Sequence, residues 1–139
     1  MNYLLDTNVV SEFPKSKPNE GVLGWLAAIN EDSVFLSVVT IAELRHGIER
    51  LPAGKRHHLL DDWLRNELRE RFEGRILPID AEVANACGTL LAKREASGRS
   101  MEIGDAFIAA TAEVHKLALV TRNVSHFQST VKNLVTPWT

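Results

Sequence analysis

The sequence predicts an α/β fold built on a mainly parallel five-stranded sheet with helices on both faces. Three observations point there. Short apolar runs of strand character are spread along the whole 139-residue chain. Between them lie stretches whose apolar residues recur at helical spacing. No repeat, low-complexity tract or linker interrupts the alternation, so residues 1–139 read as one domain. Alternating strands and helices require crossover connections, which place helices over both faces of a parallel sheet.

The elements follow in order. Tyr3–Leu5 is the first strand and ends directly on Asp6. Pro18, Asn19 and Glu20 open a helix that runs through Trp25 and Leu26. Val34–Ser37 is the second strand, and a helix begins near Thr40 and ends by Pro52. Leu59, Leu60, Trp63, Leu64, Leu68 and Phe72 form the apolar stripe of a third helix. Arg75–Ile79 is the third strand. Asp80 starts a fourth helix, which carries Val83, Ala84, Cys87, Leu90 and Leu91 and stops at Gly98. A fifth helix runs from about Ile103 to Lys116, followed by the strand Leu117–Thr121 and a weaker one at Leu134–Val135. In the fifth helix Ile103, Phe107, Ala110 and Val114 form one face, while Ile108, Ala109 and Ala112 lie nearly opposite. A helix apolar on both sides is buried on both sides.

Composition narrows the function. Sixteen Lys and Arg against eighteen Asp and Glu leave a net charge of −2. A long nucleic-acid footprint needs a basic excess, so any such contact is local or shared between subunits. Arg45, Arg50, Lys55 and Arg56, with His46, His57 and His58, outweigh Glu49 and are either that local contact or a solvated helix face. A strand starting at residue 3 leaves no room for a signal peptide, and no apolar run approaches the ~20 residues of a membrane span. The lone Cys87 cannot form an internal disulfide and sits on its helix's apolar stripe; a cytoplasmic protein is expected. The adjacent His57 and His58 cannot face one metal together, and no Cys/His cluster has zinc-ligand spacing.

In parallel sheets, ligands bind at the carboxyl ends of the strands. Four oxygen-bearing side chains are expected there. Asp6 ends the first strand, Glu43 lies in the first turn of the helix after the second, Asp105 opens the helix leading into the fourth, and Asn123 follows that strand. Each has a simpler reading. Thr40-Ile41-Ala42-Glu43 fits a capping box, Asp105 complements a helix N-terminus, and Asp6 and Asn123 suit turns. Together they make a different case. Two carboxylates about 4 Å apart repel by roughly 4 kcal/mol at an effective dielectric near 20. A cation, a proton or an arginine must compensate, and oxygen donors suit a hard ion such as Mg²⁺ or Mn²⁺. The hydroxyls of Thr7 and Thr121 share the edge and are candidates to bond Asp6 or a substrate. Arg122 suits a phosphate or a salt bridge equally. His115 complements a helix C-terminus, and His46 and His126 have no evident partner.

LLDTNVVSE, SVVTIAELRHGI, GRILPID, IGDAFIAATA and VTRNVSHF, in this order, span essentially the whole chain. In these blocks the chain resembles PIN-domain proteins, and among them the VapC-type toxins of bacterial toxin–antitoxin pairs, in their FitB-like branch. The resemblance implies a three-layer α/β/α sandwich and metal-dependent endoribonuclease activity. It maps acidic catalytic positions onto Asp6, Glu43 and Asp105, with Asp6 and Asp105 as metal ligands to Mg²⁺ or Mn²⁺. The fourth family position, often aspartate, is Asn123 here, which adds no charge and weakens the case for a second ion. The resemblance also implies a homodimer, an RNA substrate and a cognate VapB/FitA-like antitoxin, with DNA contacted only through that antitoxin. Val22–Ile29 and the Trp63 helix are apolar enough for interfaces or for core.

Three other readings compete. A receiver domain needs a lysine at the end of its fifth strand, where LVTPWT has none. A haloacid-dehalogenase-like phosphatase needs a second aspartate where Asn8 stands, and a longer chain. A corepressor that organises a DNA-binding partner, with little or no nuclease activity, would retain the same site.

Overall fold

A computed structural model describes residues 1–139. The elements are β1 (Tyr3–Leu5), α1 (Thr7–Val10), α2 (Glu20–Ala28), β2 (Val34–Ser37), α3 (Val38–Glu49), α4 (Lys55–Asp62), α5 (Arg69–Arg71), β3 (Ile76–Leu77), α6 (Ala81–Ala96), α7 (Ile103–Val114), β4 (Ala118–Val120), α8 (Val124–Phe127) and β5 (Leu134–Val135). All five strands are parallel, in the order β3-β2-β1-β4-β5. Tyr3 aligns with Val34 on one side and with Ala118 on the other. The chain steps from β1 outward through β2 to β3, then returns across β1 to β4. The order therefore reverses beside β1, and Asp6 stands at that reversal.

The alternation of side chains along a strand divides the core in two. Leu4 and Leu119 face a cluster with Val83, Cys87, Ala106, Ile108, Ala109 and Phe127. Leu5 and Val120 face the opposite cluster, with Val9, Val22, Leu36, Leu44, Leu68 and Phe72. The result is the three-layer α/β/α sandwich. Alanines let α7 lie close to its neighbours: Ala106, Ala109, Ala110 and Ala112 are all buried. Ile103 is the exception to the expected faces, being 62% exposed at the helix start.

The expected capping box is not formed. Ser37, still extended at the end of β2, accepts the Val39 N–H on its hydroxyl at 3.0 Å, so α3 starts at Val38 without a loop. Thr40 is buried inside the helix, and Glu43 lies in the second turn instead of the first. The third helix is longer than its stripe suggested. It runs as α4, a π-helical stretch at Trp63–Leu68, and α5. Asp80 caps α6 as expected, accepting the Val83 N–H at 2.9 Å. Two one-turn helices were not expected. One, α1, begins immediately behind Asp6; the other, α8, begins behind Asn123. No helix is long and apolar enough to cross a membrane.

Candidate active site

The switch point of the sheet builds the site from β1 outward. Asp6 leaves β1 with its N–H on the Val120 carbonyl, which fixes its backbone to β4. It then caps α1. Its Oδ1 accepts the Thr7 N–H at 2.8 Å. Its Oδ2 accepts the Thr121 hydroxyl at 2.7 Å and the Asn8 amide at 3.4 Å. These donors hold a carboxylate that is only 5% exposed. Burial nevertheless wins, and the Asp6 pKa stands above the usual aspartate value.

Glu43 reaches the same edge from α3. It accepts the Thr7 hydroxyl, which also lies 3.1 Å from the Thr40 hydroxyl. Glu43 meets α7 at Gly104. A Cβ at that position would stand 3.0 Å from Glu43 Oε2, so a larger residue there would shift the carboxylate by a few tenths of an ångström. Desolvation pushes the Glu43 pKa up, and the charges of Asp6, Asp105 and Glu102 push the same way. Asp105, on the next residue of α7, is likewise raised by desolvation and by Asp6 and Glu102. His126 opposes that shift: its Nδ1 stands 3.4 Å from Asp105 Oδ2.

The three acids predicted to converge thus share one neighbourhood. Asn123 is the departure. It is exposed at the start of α8, and the hydrogen bond placed there is from its backbone N–H to the Thr121 hydroxyl at 3.0 Å. The amide that reaches Asp6 belongs to Asn8, whose Oδ1 also accepts the Arg122 N–H at 3.2 Å. Asn8 is the second residue of α1, an element too short to show in the periodicity. His126 was given no partner because its approach to Asp105 depends on how α8 docks. Arg122 lies over the Trp138 ring, 5.6 Å from its centroid, and acts on Glu12 through its charge without forming an ion pair.

No three His, Cys, Asp or Glu side chains stand tightly enough together to form a ready-made metal cage. Thr7 bonds Glu43 and Thr121 bonds Asp6, each hydroxyl serving one acid. The site's donor set still fits Mg²⁺ or Mn²⁺. All candidate donors are hard oxygens, and small divalent ions use one or two carboxylates while retaining several waters.

A groove of about 950 Å³ opens beside Thr7 and Glu43. Leu44, Ile48, Leu51, Leu59, Leu60 and Trp63 line its apolar part; Lys15, Lys17, Lys55 and Arg56 supply positive charge. Only part of the expected basic cluster therefore faces the site. Arg45 is spent on Glu49 and Asp61, at 2.9 and 2.8 Å. Buried Glu12 anchors the groove's lysine-bearing loop, accepting the Asn19 N–H at 2.8 Å and pairing with Lys15.

The PIN domain profile matches residues 3–132. The chain belongs to the PIN-domain family. Among relatives, this PIN domain is 37% identical over 135 residues to the VapC ribonuclease Y4jK of Sinorhizobium fredii, covering 97% of this chain and 96% of that one. It is 38% identical over 135 residues to the toxin FitB of Neisseria gonorrhoeae, covering 97% of each. A solved structure of FitAB bound to an IR36 DNA fragment contains a chain that superposes with a TM-score of 0.90 at 35% identity. That match covers 99% of this PIN domain and 96% of its counterpart.

Proposed function

We propose that this PIN domain is the toxin of a toxin–antitoxin pair and acts as a metal-dependent endoribonuclease. The carrying observation is the meeting of Asp6, Glu43 and Asp105 at the switch point, each with a raised pKa. The similarity to VapC ribonuclease Y4jK and toxin FitB supports the reading.

Asp6 and Asp105 would hold Mg²⁺ or Mn²⁺, directly or through water. A bound ion of this kind lowers the pKa of a coordinated water and offsets charge on phosphate oxygens. Glu43 orients or deprotonates the attacking water, a role suited to a carboxylate whose proton affinity is raised. Thr121 and Asn8 hold Asp6 in place. Asn123, exposed beside them, is available to a substrate phosphate or its water.

An antitoxin partner is supported by the likeness to FitAB, and the acidic cluster supplies a physical reason for it to bind. A tail arginine inserted among the three acids would relieve their repulsion and exclude the metal. DNA would be reached through that antitoxin, consistent with the DNA-bound FitAB complex. Homodimerisation would concentrate the modest basic charge around two sites. The DNA-bound relative also favours a second reading, in which complex formation at DNA is the main role and cleavage is weak.

The test is to purify the chain free of antitoxin and incubate it with total cellular RNA in Mg²⁺, Mn²⁺ or chelator. Discrete fragments are expected only with metal. Asp6→Asn should reduce their rate of appearance at least about 100-fold, the upper end of what losing an outer partner of a metal ligand costs. Fragments that persist undiminished in Asp6→Asn, or no fragments with either ion, would overturn the nuclease and leave the corepressor.

A further inference from the structure

We propose that His126 is a positioning residue for Asp105: its imidazole occupies one carboxylate oxygen so that the other is presented to the metal. The inference rests on the metal-site reading above and extends it to a residue outside the acidic set.

The site's carboxylates are held unequally. Asp6 has a backbone N–H, a hydroxyl and an amide; Glu43 has the Thr7 hydroxyl. Asp105 has no such donor. It sits in the first turn of α7, whose N-terminus carries no side-chain cap, and its polar neighbour is His126 Nδ1, 3.4 Å from Oδ2. That distance lies beyond the usual N–H···O range, so the pair is an ion contact that a small rotation of either side chain closes into a hydrogen bond. The other charged groups facing Asp105 are Asp6, Glu43 and Glu102, all acidic. A carboxylate surrounded this way turns away from its neighbours unless something holds it, and His126 is placed to hold it.

The backbone under the imidazole is fixed. The His126 N–H bonds the Asn123 carbonyl at 3.0 Å. Its carbonyl accepts Arg94 Nη1 from α6 at 3.5 Å, and the same nitrogen donates to Ser129 at 3.1 Å. The next residue, Phe127, is fully buried. The ring itself is 53% exposed, so its removal should affect folding little, whereas a structural role would lower the metal-free melting temperature. Partners that orient a metal ligand typically contribute 10–100-fold in metal affinity.

The experiment measures Mn²⁺ uptake by electron paramagnetic resonance, and the melting temperature without metal, for the full chain and three variants. His126→Leu should weaken Mn²⁺ binding about 10–100-fold. Its metal-free melting temperature should stay within about 2 °C of the parent. His126→Asn, whose amide nitrogen can stand where Nδ1 stood, should recover most of the affinity. Asp105→Asn should lose binding. Parent-like affinity in His126→Leu, with Asp105→Asn defective, would overturn the positioning role alone. An Asn variant as weak as the Leu variant would also overturn it, because the ring rather than its donor would then matter. Equal Mn²⁺ uptake by the parent and Asp105→Asn would overturn the metal-site reading and this inference together.

Discussion

The chemistry of the site comes down to which atom holds each carboxylate. Thr121 is fully buried at the end of β4 and gives its hydroxyl to Asp6 Oδ2, while accepting the Asn123 N–H. Replacing it with valine keeps the shape but strips a buried, charged acceptor of its shortest bond. The expected cost is about 1–3 kcal/mol, read as a lower denaturation midpoint without metal. Thr121→Ser, which restores the donor, should recover most of it. Thr7 plays the parallel part for Glu43, but on the open side of the site, where water can replace it. The two threonines were legible as hydroxyls at the strand edge. Thr121 bonds Asp6 as expected, but Thr7 serves Glu43 instead, which depends on the separation between β1 and α3.

At the scale of elements, the apolar runs and helical stripes gave away the succession of strands and helices along the chain and the two buried faces of α7, but not the order of the strands across the sheet. What stayed hidden was short or ambiguous. Four-residue α1 and α8 are barely one helical turn, so they carry no periodicity to detect. Ser37 and Thr40 are both acceptable caps three residues apart, and the chain passes from β2 into α3 without a loop to choose between them. The missed α8 took His126 with it, and the missed α1 took Asn8. The C-terminal tail is a further such case. It returns to the start of α2, where Asn19 exchanges two hydrogen bonds with Thr139 at 3.2 and 3.3 Å. A Cβ on Gly21 would lie 2.1 Å from the Pro137 carbonyl oxygen and 2.7 Å from Thr139 Cγ2. Gly21→Ala should therefore destabilise by about 1–3 kcal/mol, as overpacking does, and release the tail to proteolysis. Removing residues 136–139 should make the same substitution nearly neutral, which thermal denaturation of the single and combined variants would show.

At the scale of the whole molecule, the crowded acids are a source of instability that a cation, on the proposed function, would relieve. Asp6, Glu43 and Asp105 all have pKa values above the ordinary 3.8 and 4.5, with burial as the first cause of each. A raised carboxylate pKa means that the folded state holds the proton more tightly than the unfolded chain. Its stabilising contribution is complete below the unfolded value and is lost as pH rises through the folded one. Glu12 has the opposite sign. Burial would raise it, but Lys15 and the Asn19 N–H bring it below its ordinary value, so its contribution is lost as the solution becomes strongly acidic. The metal-free protein should thus be most stable near the ordinary carboxylate values, and should lose stability as pH rises from them through the raised values of the three acids. In a chain of this size each kcal/mol moves the melting temperature by about 3–5 °C. Melting curves in chelator across this pH range should show the fall, and Asp6→Asn or Asp105→Asn should flatten it. Saturating Mg²⁺ or Mn²⁺ should remove it near neutral pH, because an ion that binds only the folded chain stabilises it by mass action. A metal-free protein that grows steadily more stable up to neutral pH would show that the three acids do not oppose one another, and would leave the site no electrostatic reason to take up a cation.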